Sequence, residues 1–242
     1  MKYAVQVYSV REHIKDEKTL LKALEEIKKI GYDGVEFAGY FGADAKTIKA
    51  KLDELGLVCV GGHIGLDDFK KENLEKTIEF QHELGAKAIG VGGAPHKTMV
   101  DCKHTGKILG DAQKYAMEKY GMKVYYHNHT EEFKPLRNKL LPIDVIGSYC
   151  SLEIDSYWSF HAGVDNYKFL TEKKDNIVYF HLKDGIDGHP KALGEGNNDI
   201  PAIMKAAKDV KLEWVVVEND DPEPTGFEDI TRSLKYLKSI EK

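Results

Sequence analysis

A (β/α)8 barrel is predicted by three features of this 242-residue sequence: eight apolar, β-branched runs at nearly even spacing, amphipathic segments between them, and glycines closing several of those segments. The runs are Tyr3–Tyr8, Gly34–Ala38, Leu57–Val60, Ala86–Val91, Met122–Tyr126, Cys150–Ile154, Ile177–Leu182 and Trp214–Val217. Eight runs in 242 residues leave about 30 residues per unit, the length of one strand–helix module. Between runs, apolar residues recur three and four apart, as in Leu20, Leu21, Leu24 and Ile27, or Leu74, Ile78 and Leu84. Gly31, Gly56, Gly85 and Gly121 each stand just before a run, where glycine takes the left-handed conformation that stops a helix. The alternative, an open doubly wound sheet, lacks its Gly-x-Gly-x-x-Gly after the first strand; Val7-Tyr8-Ser9-Val10-Arg11 stands there. Gly90-Val91-Gly92-Gly93-Ala94 has no P-loop lysine or hydroxyl. With no linker or low-complexity tract, residues 1–242 read as one domain.

Composition narrows the function classes. Hydrophobic residues at 42% and charged residues at 31% fit a folded globular chain, and no apolar run approaches the roughly 18 residues of a membrane helix. Met1-Lys2-Tyr3-Ala4-Val5 enters an alternating segment directly, without the pattern of a signal peptide, so a cytoplasmic location is expected. Cys59, Cys102 and Cys150 are too scattered for a disulfide framework or a thiolate metal site. A net charge of −5, with only Arg11, Arg137 and Arg232 as arginines, argues against a nucleic-acid or membrane partner. The expected partner is a small molecule, with a homo-oligomer compatible.

A barrel places its chemistry at the C-terminal ends of its strands. Polar groups collect there: Glu36 after the second run, His63 after the third, His127-Asn128-His129-Thr130-Glu131-Glu132 after the fifth, Glu153 and Asp155 at the sixth, His181, Lys183 and Asp184 at the seventh, and Glu218-Asn219-Asp220 at the eighth. A carboxylate from each of the fifth, sixth and eighth strands and the seventh-strand imidazole make a donor set suited to one divalent ion, Mn²⁺, Mg²⁺, Co²⁺ or Zn²⁺; without thiolate it suits catalysis rather than a closed structural zinc site. The competing reading makes each acid a helix N-cap and His181 a core histidine. Glu153 reads as a barrel-interior partner of Asp155. Regular pairing would put His127, His129 and Glu131 on one face and Asn128, Thr130 and Glu132 on the other, which leaves Glu131 and Glu132 both open as ligands. His13, His82, His96, His104 and His189 read as solvated surface residues.

These residues resemble the xylose isomerase-like TIM barrels, the sugar phosphate isomerase/epimerase superfamily that also holds inosose dehydratases, ketose 3-epimerases and endonuclease IV. The resemblance covers essentially the whole chain, through Val5-Gln6-Val7-Tyr8-Ser9-Val10-Arg11, Gly34-Val35-Glu36-Phe37, His127-Asn128-His129-x-x-Glu132-Phe133, Asp155-x-x-Trp158, His181-Leu182-Lys183-Asp184, Gly194-Glu195-Gly196 and Val217-Glu218. It implies metal ligands at Glu132, Asp155, His181 and Glu218, with Glu132 and Glu218 also moving protons beside a sugar carbonyl. Glu36, His63, His129, Trp158 and Lys183 are the expected substrate-binding residues. Trp158 stands where many members carry histidine, which weakens the 3-epimerase assignment within the superfamily; His161 follows in the next loop.

The expected activity is a metal-dependent sugar isomerase or epimerase working through an enediolate: the ion polarises a carbonyl and the adjacent hydroxyl, so a carboxylate suffices as base. The alternative is a lyase or dehydratase on a keto-inositol or 3-keto-glycoside, since the same intermediate can expel a β-leaving group. An endonuclease IV-like DNA-repair enzyme needs further ligands and a basic surface, and the charge opposes it. The small arginine count favours an unphosphorylated substrate.

Overall fold

The computed structural model describes residues 1–241. Its strands are β1 (Lys2–Gln6), β2 (Gly34–Ala38), β3 (Val58–His63), β4 (Ala88–Val91), β5 (Lys123–His127), β6 (Ser151–Asp155), β7 (Ile177–Leu182), a hairpin of β8 (Asp184–Ile186) and β9 (His189–Lys191), and β10 (Trp214–Val217). All but the hairpin close into one parallel barrel, in which β1 pairs with both β2 and β10. Outside run α1 (Glu17–Ile30), α2 (Ala45–Leu55), α3 (Lys71–Leu84), α4 (Met99–Tyr120), three short helices α5 (Pro142–Gly147), α6 (Ser156–His161) and α7 (Asn166–Glu172), then α8 (Ile200–Asp209) and α9 (Gly226–Ile240). The predicted (β/α)8 barrel is the observed fold. No helix among the described residues is long and apolar enough to cross a membrane.

Local chemistry accounts for the boundaries. Asp16 caps α1 by accepting from the Thr19 N–H, and Gly31, Gly56, Gly85 and Gly121 end the first four helices with φ of 110°, 61°, 81° and 63°, in the left-handed region as expected. The first strand stops at Gln6, two residues short of the predicted end at Tyr8. Gln6 accepts from the Tyr8 N–H and turns the chain into a 3-10 segment, Val7–His13. The third strand instead runs past Val60 to His63, because Gly61 and Gly62 let it pass close to the hydroxyls of Tyr125 and Tyr40.

Two apolar regions hold the barrel. One lies between strands and helices and includes Val35, Phe37, Ile89, Tyr126, Ile154 and Leu182; the other fills the interior with Ala4, Val60, Ala88, Tyr125, Tyr179, Trp214 and Val216. Large interior rings need small neighbours. A Cβ on Gly90 would lie 2.2 Å from the Tyr125 ring and 2.4 Å from the Tyr125 carbonyl oxygen. Backbone cannot yield as a flexible side chain does, so Gly90→Ala is expected to cost about 3 kcal/mol, at the upper end of overpacking penalties. Urea denaturation checks this; a loss under about 0.5 kcal/mol would mean that the interior repacks freely.

Candidate active site

Strand alternation sorts the site residues into layers. Tyr125 and Tyr179 belong to the apolar interior, so His127 and His181, two residues further on, face inward one step closer to the barrel mouth. Register brings their neighbours level: His127 pairs with Glu153, Asp155 with His181, and Gln6 with Glu36. Lys183 and Glu218 extend β7 and β10 on the same faces. Glu36, His127, Glu153, Asp155, His181, Lys183 and Glu218 are all buried, and His63 is nearly so.

The contacts form one network. His181 Nδ1 lies 2.9 Å from Glu218 Oε2 and its Nε2 lies 2.6 Å from Glu36 Oε2 and 3.2 Å from Glu153 Oε2. Glu153 Oε2 also meets His63 Nε2 at 2.6 Å and His127 Nδ1 at 3.2 Å. Glu36 takes further hydrogen bonds from Gln6 Nε2, at 2.7 Å, and from the Tyr125 hydroxyl. Lys183 Nζ stands 2.8 Å from Asp155 Oδ2, 2.7 Å from Glu218 Oε2 and 2.7 Å from Asp220 Oδ2.

Burial and neighbouring charge oppose each other here. Burial acts to discharge His181, but the carboxylates of Glu153, Glu218 and Glu36 outweigh it and hold the imidazolium well above the usual range. Lys183 is likewise held charged against burial by Asp155, Glu218 and Asp220. Burial would also protonate Glu218; Lys183 and His181 reverse that and keep it ionised. His127 goes the other way, pushed below its normal range by burial and by the His181 charge, so it is a neutral imidazole.

This donor set fits a divalent ion. Ligand atoms of His127, Asp155, His181 and Glu218 lie within 4.8 Å of one another, and so do those of His63, His127, Glu153 and His181. The two groups share both central imidazoles, each of which would have to bridge as an imidazolate if two ions bound; one ion is therefore the simpler occupancy. The first group fits better on its chemistry. Asp155 Oδ2 is buried and ion-paired with Lys183, while Asp155 Oδ1 caps α6 through the Tyr157 and Trp158 N–H groups, each at 2.9 Å. Asp155 is thus a helix cap through Oδ1, and its Oδ2, paired with the Lys183 ammonium, is the oxygen left to turn toward an ion. An ion there would leave His181 Nε2 to Glu36 and Glu153, the carboxylate backing that fixes a metal-bound imidazole.

Of the predicted ligands, the structure brings Asp155, His181 and Glu218 together, with His127 as their fourth neighbour. Glu132 is buried elsewhere. Regular strand geometry ends at His127, and the following turn sends the Glu132 carboxylate to the Tyr126 hydroxyl at 2.7 Å and the His129 N–H at 2.9 Å, with His96 Nδ1 3.3 Å away. His96 is accordingly a partner of Glu132, not a solvated surface residue. Among the expected substrate-binding residues, Glu36, His63 and Lys183 join the network. Half-buried Trp158 donates to Asp220 Oδ2 at 3.2 Å with Lys183 Nζ 5.6 Å from its ring centroid, and His129 lies exposed at the rim, its ring 5.1 Å from that of His127. His161 is exposed, outside the network.

Asp184 explains the glycine-rich loop beyond β9. Its carboxylate accepts from the backbone N–H groups of Gly185, Gly194, Gly196 and Asn198, all within 3.0 Å, and a Cβ on Gly196 would sit 2.2 Å from it. The hairpin and the Gly194-Glu195-Gly196 turn are folded around this one side chain.

Residues 24–240 match the family described as xylose isomerase-like TIM barrel. The chain belongs to that family. A curated relative, the inosose dehydratase of Lacticaseibacillus casei, is 26% identical over 91% of this chain and 89% of its own length. An inosose dehydratase of Geobacillus kaustophilus is 24% identical over 70% of this chain, and the match spans 63% of that protein. A sugar phosphate isomerase/epimerase from Parabacteroides distasonis superposes with a TM-score of 0.82 at 22% identity, covering 98% of this chain and 93% of that one.

Proposed function

We propose that this protein is a metal-dependent isomerase or epimerase of a sugar or polyol, moving a proton at the carbon next to a carbonyl. The observation that carries the reading is the pairing, at the barrel mouth, of an ionised carboxylate with a charged ammonium, Glu218 and Lys183, beside His127, Asp155 and His181. A bound divalent ion would supply Lewis acidity toward the carbonyl oxygen and the neighbouring hydroxyl. Glu218 is the base that takes the α-proton onto a carboxylate oxygen. Lys183, held between Asp155, Glu218 and Asp220, donates a hydrogen bond to a substrate oxygen as negative charge grows there. Glu36 and Glu153 hold the His181 ring, and His63 offers its imidazole to a hydroxyl. The test is incubation of metal-loaded protein with free ketoses and inososes in D₂O. Deuterium at the carbon next to the carbonyl, with an epimer or isomer formed, supports the reading; turnover with no such product refutes it.

Dehydration of a keto-polyol is the second reading, favoured by the curated relatives and by the placement of Glu132. Epimerisation by two bases needs a carboxylate on each face of the substrate, whereas elimination needs one base and an acid for the departing hydroxyl. In that reaction Glu218 takes the α-proton, the C–O bond at the β-carbon breaks, and the hydroxide leaves as water with a proton from Lys183. Loss of one water and growth of ultraviolet absorbance from the new enone would select it.

Trp158 is assigned as a platform for the sugar ring. Trp158→Ala is expected to weaken binding of a competent sugar by about tenfold with metal content unchanged; equal affinity in the variant would remove Trp158 from the site.

A further inference from the structure

Beside the network, and sharing only His63 with it, a groove of about 610 Å³ opens between the ends of β2 and β3 and the outer face of α3. Its walls include Tyr40, Ile64, Thr77, Phe80 and Gln81. This volume lies within the range of roughly 300–1,000 Å³ typical of small-molecule pockets, and neither Lys183 nor Glu218 lines it. Whatever fills it is a part of the ligand remote from the reacting carbons.

The lining defines that part. Tyr40 and Phe80 pack with ring centroids 4.5 Å apart and present an aromatic wall of the kind that takes the apolar face of a sugar. Gln81 is 1% exposed; its Nε2 donates to the Tyr40 hydroxyl at 2.6 Å while its Oε1 accepts nothing. Tyr40, having accepted that bond, keeps its own proton free. The Gln81 amide thus backs the aromatic wall and fixes the Tyr40 hydroxyl, whose free proton suits the oxygen of a sugar hydroxyl. The rim carries one carboxylate, Asp68, and one ammonium, Lys76, so it imposes no net charge on the ligand.

We infer that the groove is a second sugar subsite: the substrate is a glycoside whose keto-bearing ring meets Lys183 and Glu218 while an uncharged, hydroxylated second ring lies on Tyr40 and Phe80, bonded to the Tyr40 hydroxyl that Gln81 holds in place. The position of the first ring rests on the proposed function; the groove and its occupant do not. Cellobiose, maltose and trehalose, which lack the keto group and cannot react, are the probes, compared with glucose and myo-inositol by calorimetry or saturation-transfer NMR.

At least one disaccharide is expected to bind about tenfold or more tightly than glucose, the worth of one added hydrogen bond or ring contact. Phe80→Ala should bring that affinity down to the glucose level with metal content and thermal unfolding unchanged. Asn73→Trp, at an exposed lining position on α3, should do the same by filling the groove, and keeps the test valid if Phe80→Ala folds poorly. Disaccharides that bind no better than glucose, or an advantage that survives both substitutions, overturn the subsite. The readout is separable from the reaction: absent deuterium exchange with a retained disaccharide preference defeats the proposed function and leaves the groove standing, and the converse defeats the groove alone.

Discussion

Asp155→Ala and His181→Ala are each expected to abolish binding of a divalent ion that the unaltered protein retains, one per chain, through exhaustive dialysis. The expected loss exceeds about 100-fold in affinity, because removing even an outer partner of a ligand costs 10–100-fold. Asp155 offers its Oδ2, and His181 offers Nδ1 on releasing the proton it shares with Glu218, while Glu36 and Glu153 hold the opposite edge of the ring. His127→Ala should behave alike, since its neutral imidazole is ready to ligate. Glu132→Gln should keep the ion, because its carboxylate is taken up by Tyr126 and the His129 N–H. His189→Ala, exposed on β9, is the control. Elemental analysis of dialysed proteins reads all five variants. Retention in Asp155→Ala and His181→Ala would dismiss the centre, and loss in Glu132→Gln with retention in His127→Ala would restore Glu132 as the fourth ligand.

The barrel was legible because its signals are local and repeated: apolar runs, intervening amphipathic segments, and a glycine at each of four helix ends. Asp155, His181 and Glu218 were legible for a related reason, since they fall on inward positions of strands whose ends converge. Glu132 was not. Its direction depends on where β5 stops pairing, and that is set by a turn after His127 which periodicity cannot see. His127 could have been found from the same alternation, because it lies two residues beyond inward-facing Tyr125. Gln81 and Tyr40 were beyond sequence reasoning: they are 41 positions apart, and only the tertiary fold brings the loop after β2 to α3 and the amide to the hydroxyl. The hairpin of β8 and β9 escaped notice because its three-residue strands fold around the Asp184 carboxylate rather than around an apolar face.

Glu218→Gln is expected to lower turnover by at least about 10²-fold at saturating metal, the lower end for losing a general base. Glutamine keeps the shape and one ligating oxygen but cannot take the α-proton, so the chemical step and the appearance of deuterium at that carbon should fall together. Two effects of the substitution need separating. A neutral amide is a weaker ligand than a carboxylate, so metal must be raised until the rate no longer responds to it. The amide also removes one of the three anions around Lys183, leaving Asp155 and Asp220 to hold the ammonium. Asp220→Asn removes an anion from the same lysine without touching the base, and its rate should fall far less than that of Glu218→Gln. Equal losses in the two variants would shift the essential function from proton abstraction by Glu218 to the placement of Lys183. Near-normal turnover by metal-saturated Glu218→Gln would require another base, and of the other inward carboxylates Asp155 is taken up by Lys183 and the α6 cap, Glu36 and Glu153 by His181 and His63.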